Sequence, residues 1–150
     1  SIPLRTFHQK GIKALFLDVD GTLISKNDIE IDTKVKSWVN LLRKDIFIHL
    51  ISNNPSYYRI NRIANQLELP FTCRALKPTR SAVIKVIESL CLNRNEIAII
   101  GDRIFTDILV GNRLGIYTIL VKAYKPNEIT NSRNYNQSIE RKIARLFGVK

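Results

Sequence analysis

The chain has 150 residues, of which 45% are hydrophobic and 25% are charged. This size and composition are typical of one globular domain, so we expect residues 1–150 to form a single domain. No apolar stretch approaches the roughly 20 residues that a transmembrane helix needs, and the first ten residues lack the apolar centre of a secretory signal. Because the sequence contains no methionine, we expect it to be a trimmed or processed product.

The chain is strongly basic, since 24 lysines and arginines against 13 acidic residues give a net charge of +11. Such a surface attracts polyanions, which predicts nucleic acid, an anionic membrane or a phosphorylated substrate as a partner. The charge by itself does not choose among the three. Cys73 and Cys91 lack the spacing of a metal-binding pair, so we expect two buried free thiols. Free thiols are typical of a reducing compartment and predict a cytoplasmic or organelle-matrix location.

Apolar runs and helical periodicity alternate along the chain. Continuous apolar runs predict buried strands over residues 13–18, 46–51, 97–100 and 117–121, with a brief extended segment over 71–75. Amphipathic spacing predicts helices over residues 32–45, 55–67, 78–90, 106–114 and 135–147. We expect Pro55 and Pro78 to open the second and third of these helices. The alternation predicts a three-layer, Rossmann-like α/β fold whose parallel sheet is covered on both faces.

Polar clusters follow four of the predicted strands. They are Asp18 to Thr22, Ser52 to Asn54, Lys77-Pro78 and Gly101-Asp102. Ligands of open parallel sheets bind beyond the carboxyl ends of the strands, so we expect these clusters to converge on one edge of the sheet. Each cluster alone would be an ordinary turn, cap or helix start. Their shared position predicts one functional site.

Asp18 and Asp20 are spaced for the cleavage of a phosphate ester. Residues at i and i+2 of an extended segment point to the same side. One carboxylate can then attack phosphorus while the other protonates the departing alcohol and later activates water. A carboxylate can approach a phosphate only if a cation offsets their charges, which predicts Mg²⁺ with Asp102 as a further ligand. An EF-hand calcium loop is excluded, because its register would place Leu23 at the required glycine and Ile29 at the closing glutamate.

Three further side chains are expected to bind the phosphate. Lys77 would supply fixed positive charge, and the Ser52 hydroxyl and the Asn53 amide would donate hydrogen bonds to phosphate oxygens. Donors of this kind stabilise the charge that the transferred phosphoryl group carries.

The four clusters resemble motifs one to four of the haloacid dehalogenase (HAD) phosphatases, and the resemblance spans residues 12–121. The fourth cluster extends to Gly101-Asp102-Arg103-x-x-Thr106-Asp107 in this comparison. The resemblance implies the HAD fold, with Asp18 as the phosphorylated nucleophile and Asp20 as the general acid and base.

The same resemblance implies the roles of the remaining residues. The Mg²⁺ ligands would be the Asp18 carboxylate, the Asp20 main-chain carbonyl and the Asp102 carboxylate. Ser52 and Lys77 would bind the phosphoryl group, and Asp107 would support both the metal site and Lys77.

The sequence leaves no room for the cap domain that many HAD enzymes carry. Residues 23–51 are taken up by a short flap, one helix and a strand, and residues 54–76 by one helix and a short strand. We therefore expect a capless enzyme with an open site. Such a site suits a bulky substrate, a macromolecule or a lipid headgroup.

A narrower resemblance is to the class IIIA, YqeG-like branch, which contains phosphatidylglycerophosphate phosphatases. It rests on the motifs above and on Gly11-Ile12-Lys13, Ile51 to Asn54 and Glu140-Arg141. The resemblance implies that the chain dephosphorylates phosphatidylglycerophosphate to phosphatidylglycerol. Residues 122–150 carry seven basic and two acidic residues, and this charge favours peripheral association with an anionic membrane.

Two alternatives stay open. One is the same chemistry on another bulky or macromolecular phosphoester, such as a nucleic-acid end. The other is a ribosome-associated or RNA-binding protein that uses the basic surface. The scattered positions of the tyrosines and phenylalanines make nucleic acid the weaker prediction, because single-stranded RNA is bound on clustered aromatic side chains. The sequence does not indicate an oligomeric state.

Overall fold

The fold is built on one parallel sheet. This computed structural model describes residues 2–124, and its five strands pair in the order β3-β2-β1-β4-β5. The strands are β1 (Ala14–Leu17), β2 (Phe47–Ile51), β3 (Phe71–Thr72), β4 (Ile97–Gly101) and β5 (Tyr117–Leu120). Every pair is parallel, and Ala14 faces Phe47 on one side and Ile97 on the other. The predicted parallel α/β architecture is confirmed.

Helices cover both faces of the sheet. They are α1 (Leu4–Gln9), α2 (Thr33–Leu42), α3 (Tyr57–Leu67), α4 (Ser81–Leu90) and α5 (Leu109–Leu114). Successive residues of a strand point to opposite faces, so Leu15 and Leu17 join the core beneath α1, α2 and α3. Ala14 and Phe16 join the second core, beneath α4 and α5. This arrangement makes three layers and buries β1 completely.

Three helices begin differently from the prediction. Pro55 does not open α3; that helix begins at Tyr57, and the Ser56 hydroxyl caps it by accepting from the Arg59 amide. Pro78 does not open α4 either, since that helix begins only at Ser81. The segment predicted from residue 106 begins earlier, with a π-helical turn over Ile104–Ile108. The prolines indicated the neighbourhood of α3 and α4 but not the first residue of either helix.

Two features were not anticipated. The basic N-terminal segment forms α1, which buries Phe7, and the Trp38 indole ties this end to the core by donating to the Ile2 carbonyl. Cys91 is exposed rather than buried, because it occupies the left-handed position that ends α4. Cys73 is half-buried.

Some predictions fall beyond the described part of the chain. The predicted helix over residues 135–147 and most of the basic segment 122–150 lie outside residues 2–124, so the single domain over 1–150 stays a prediction. Among the described helices, none has both the length and the apolar character that crossing a bilayer requires.

His49 on β2 is held in its neutral form by the fold. Burial lowers the pKa of its imidazole from 6.5 to about 4. One ring nitrogen lies 2.9 Å from the Thr72 hydroxyl. The neutral ring therefore forms part of the packing between β2 and β3.

We expect this histidine to make stability depend on pH. The unfolded chain takes up a proton at His49 as the pH falls below 6.5, whereas the folded chain does so only near 4, so the free energy of unfolding falls through that interval. His49→Gln cannot titrate and should lose less stability over the same interval. Urea denaturation at several pH values compares the two proteins, and equal losses would contradict the assignment.

Candidate active site

The sheet brings the predicted polar clusters to one edge. Asp18 follows β1, Ser52 follows β2, Lys77 follows β3 by a short loop, and Asp102 follows β4. One pocket at this edge is lined by Asp18, Asp20, Lys26, Ser52, Asn53, Asn54, Lys77, Arg103 and Thr106. Five of the predicted site residues are in that lining. The other two, Asp102 and Asp107, contribute carboxylates beside Asp18.

A buried lysine lies at the centre of the site. The Lys77 ammonium donates to Asp18 Oδ1 at 2.7 Å, to Asp107 Oδ1 at 2.6 Å and to the Ile51 carbonyl at 2.7 Å. These bonds use all three donors of the ammonium group. Lys77 is 4% exposed and Asp107 is fully buried. The cation therefore fixes the orientation of Asp18 and offsets two buried negative charges.

Asn53 holds the backbone of Lys77 in place. Its side-chain NH₂ donates to the Lys77 carbonyl at 2.8 Å, and its side-chain oxygen accepts from the Lys77 amide at 2.7 Å. This reciprocal pair joins the loop after β2 to the loop after β3. Sequence reasoning assigned the Asn53 amide to the phosphate, and the structure adds a positioning contact that the sequence did not indicate.

Three carboxylates form a potential cation site. Asp18, Asp102 and Asp107 each offer one oxygen, and these atoms lie within 4.8 Å of one another. The Thr22 hydroxyl lies between the first two, 3.2 Å from Asp18 Oδ2 and 3.4 Å from Asp102 Oδ1. Oxygen donors of this kind suit a hard divalent cation such as Mg²⁺.

Gly21 makes the approach of the carboxylates possible. Its φ of +89° is a conformation that other residues rarely adopt, and a Cβ atom there would lie 2.5 Å from Asp102 Oδ2. Any side chain at position 21 would therefore displace the Asp102 carboxylate. The three carboxylates are therefore close enough to bind one small cation together, and the turn at Gly21 leaves room for Asp102 beside Asp18.

Burial raises the pKa of the Asp18 carboxyl above its ordinary value, because desolvation disfavours the charged form. The Asp107 carboxylate adds to the rise, while Lys77 and the Thr22 hydroxyl oppose it. A divalent cation beside Asp18 would act in the same direction as Lys77 and favour the ionised carboxylate.

Arg59 is a site residue that the sequence reasoning missed. Its guanidinium donates to Asp20 Oδ1 through Nε at 3.1 Å and Nη2 at 2.7 Å, while the Asn54 amide donates to Asp20 Oδ2 at 2.7 Å. Arg59 also donates to the carbonyls of Asp28 and Ser25. Arg59 therefore joins three parts of the site: helix α3, Asp20 and the flap, which is the segment over residues 23–31 between β1 and α2. A signal was available, since the first turn of α3 follows the carboxyl end of β2, at the edge where Asp20 lies.

Two comparisons of sequence relate the chain to known proteins. A family profile described as mitochondrial PGP phosphatase matches residues 1–124. The chain is 28% identical over 136 residues to the protein named "Probable phosphatase YqeG" from Bacillus subtilis, covering 90% of this chain and 78% of that protein.

Solved structures share the fold. A HAD phosphatase from Thermococcus onnurineus superposes with a TM-score of 0.63 at 13% identity, covering 81% of this chain and 90% of its own. The protein YfnB from Bacillus subtilis, whose crystal structure has magnesium bound, gives a TM-score of 0.61 at 12% identity, covering 77% and 90%.

The fold, the strand-end carboxylates and the buried lysine together define a phosphatase of the HAD type. Within that class, the match over residues 1–124 shows that the chain belongs to the mitochondrial PGP phosphatase family. The resemblance drawn from the sequence motifs is thereby confirmed.

We expect Lys77→Met to destabilise the fold by about 3–5 kcal/mol, because removing one partner leaves buried charges uncompensated. The free energy of unfolding should be measured by denaturant titration in the presence of a chelator, so that no added cation replaces the ammonium. Lys85→Met, at an exposed position of α4, is the matched control and should change stability by less than about 0.5 kcal/mol. Equal stability of the two variants would show that Lys77 does not stabilise the carboxylate pair.

Proposed function

We propose that this protein is a Mg²⁺-dependent phosphomonoester hydrolase that forms an aspartyl-phosphate on Asp18 and converts phosphatidylglycerophosphate to phosphatidylglycerol. The main support for the proposed reaction is the position of Asp18, which contacts Lys77 and lies close to Asp102 at one edge of the sheet. The lipid substrate is supported by the description of the matching family.

Asp18 would act as the nucleophile. One of its oxygens attacks phosphorus, and the bond between phosphorus and the alcohol oxygen breaks. The departing oxygen takes a proton from Asp20. In the second step Asp20 removes a proton from water, and the resulting hydroxide attacks the phosphorus. The bond between phosphorus and the Asp18 oxygen breaks, which regenerates the Asp18 carboxylate and releases inorganic phosphate.

The role of Asp20 is supported by its hydrogen bonds. Three N–H donors from Arg59 and Asn54 occupy its two oxygens, which is the pattern of an ionised carboxylate. That form is ready to act as the base of the second step. To serve as the acid of the first step, the carboxyl would carry a proton and give up one bond from Arg59.

The remaining residues would bind the cation and the phosphate. The Asp18 and Asp102 carboxylates and the Asp20 main-chain carbonyl would hold Mg²⁺, which offsets the phosphate charge and polarises its oxygens when bound. Asp107 would support this arrangement through Lys77. The Ser52 hydroxyl oxygen accepts from the main-chain N–H of Asn54 at 3.1 Å. The hydrogen of this hydroxyl would then donate to a phosphate oxygen. Lys77 would contribute positive charge rather than a further hydrogen bond, because its three donors are already used. The remaining amide hydrogen of Asn53 would donate to a phosphate oxygen.

A turnover assay tests the proposed function. We expect phosphatidylglycerophosphate in mixed micelles to be hydrolysed far faster than soluble sugar phosphates or a phosphorylated RNA end, and chelation of Mg²⁺ to abolish the activity. Faster turnover of the RNA end would favour a macromolecular phosphoester instead. No turnover of any substrate with Mg²⁺ present would contradict the proposal.

Asp18→Asn should reduce turnover of a soluble aryl phosphate by more than about 10²-fold, because the amide cannot replace the attacking oxygen. The change preserves the size of the side chain, and a circular dichroism spectrum and an unfolding curve like those of the wild type would show that the fold is intact. Near-normal turnover by a folded variant would show that Asp18 is not the nucleophile.

Arg59→Gln should lower kcat by about 10- to 100-fold, since acid–base groups contribute about 10²–10⁴ and Asp20 would be misplaced rather than absent. KM should change less than kcat, because Arg59 donates to Asp20 and to the flap rather than lining the pocket. Arg62→Gln, one turn further along α3 at an exposed ion pair, is the control. If the two variants behave alike, Arg59 does not position Asp20.

A further inference from the structure

Five large apolar or aromatic side chains among the described residues are more than half exposed. They are Tyr57, Tyr58, Leu76, Ile104 and Phe105. Phe105 is the most exposed of the five, at 82%. Single exposed apolar side chains are common on protein surfaces, but a group of them at one place is unusual and marks an interaction site. We call these five residues the apolar rim.

All five residues lie on the catalytic edge of the sheet. Tyr57 and Tyr58 follow β2, Leu76 follows β3, and Ile104 and Phe105 follow β4. These segments leave the carboxyl ends of parallel strands, which are at the same edge.

The apolar rim is also adjacent to the pocket along the chain. Leu76 directly precedes Lys77, and the pair Ile104-Phe105 lies between Arg103 and Thr106, which line the pocket. The Tyr57 ring packs on Phe71, with 5.3 Å between the ring centroids. The apolar rim is therefore attached to the residues that form the mouth of the site.

Unpaired positive charge accompanies the apolar rim. Lys26, Arg74, Arg80 and Arg103 are exposed on the loops of the same edge. Within the described part of the chain, none of the four forms an ion pair with a carboxylate. On other surfaces Arg43 and Arg62 are paired with glutamates, whereas Arg5, Arg94 and Arg113 also lack an ion pair among the described residues. The mouth of the site is thus both apolar and cationic.

We propose that the apolar rim and these four basic residues form a docking surface that seats the mouth of the pocket on an anionic phospholipid bilayer. The proposal rests on the lipid substrate proposed above and extends it to the surface that reaches that substrate. Apolar side chains enter the boundary between headgroups and acyl chains, and basic side chains bind the anionic headgroups. A phosphate monoester on a lipid headgroup then lies opposite Asp18 without leaving the membrane.

Charge and chemistry favour this occupant over two others. A second copy of the chain docked through the same surface would place four unpaired cations against the same four, which is unfavourable. Single-stranded RNA could stack on Tyr57, Tyr58 and Phe105, but its bases have no counterpart for the aliphatic side chains of Leu76 and Ile104. An anionic bilayer matches both the cations and the aliphatic side chains.

Flotation of the full chain with vesicles tests the proposal. Vesicles of phosphatidylcholine and phosphatidylglycerol in equal parts are compared with vesicles of phosphatidylcholine alone, and we expect binding to the former only. Phe105→Ser should lower the partition coefficient by about tenfold. Phe47→Ser is the matched control, because Phe47 is an exposed phenylalanine at the opposite edge of the sheet, where β2 begins. Arg80→Gln should also weaken binding, with Arg5→Gln on α1 as its control.

Binding to vesicles needs no turnover, so this result is separable from the test of the substrate. An enzyme that hydrolyses another phosphoester but still binds through Phe105 would overturn the proposed substrate and keep the docking surface. Failure of the wild type to prefer phosphatidylglycerol vesicles, or equal partition of Phe105→Ser and Phe47→Ser, would overturn the docking surface. So would a dimer that Phe105→Ser dissociates, or RNA binding that Phe105→Ser weakens while vesicle binding is unchanged.

Discussion

The buried contact between the Lys77 ammonium and the carboxylates of Asp18 and Asp107 is the interaction on which the rest of the site depends. Taking three charged groups out of water is costly, and the cost is offset only when every donor has a partner. Here each ammonium hydrogen meets an oxygen at 2.6–2.7 Å. The same contact that makes burial tolerable also aims Asp18 into the pocket. Stability and reactivity therefore share one set of atoms.

The parallel sheet supplies the framework for this contact. Four loops leave neighbouring strands at one edge, and hydrogen bonds between the loops remove most of their remaining freedom. Asn53 fixes the backbone that carries Lys77, and Gly21 leaves space for Asp102 beside Asp18. These contacts hold the side chains of the loops in fixed positions relative to one another, which is what catalysis by positioned charges requires.

Arg59 connects the chemistry to the opening of the pocket. It holds Asp20 and the carbonyls of the flap together, so the proposed acid–base group and the flap share one support. The described chain has no cap domain over the pocket, and the exposed residues around the mouth take the place where a cap would otherwise select the substrate. Selection would then depend on the surface that brings a large phosphoester to the mouth. With the proposed docking, the apolar rim and the proposed catalytic residues would form one functional unit.

The order of the strands along the chain, the two-sided burial of the sheet and the four polar clusters were readable from the sequence, because hydrophobic periodicity and strand-end placement are local properties. The identities of Asp18, Asp20, Asp102 and Lys77 as site candidates followed from the same rule.

The first residues of α3 and α4 were not readable, since a proline signals a break without saying whether the helix begins there. The helix α1 was missed because it has only six residues and buries only Phe7, so it shows no repeated apolar spacing. The contact of Arg59 with Asp20 and the clamp of Asn53 on Lys77 join residues 39 and 24 positions apart, and no local pattern encodes such pairs. The packing of α3 beside the loop after β1 decided the first contact, and the pairing of β2 with β3 brought together the loops that make the second.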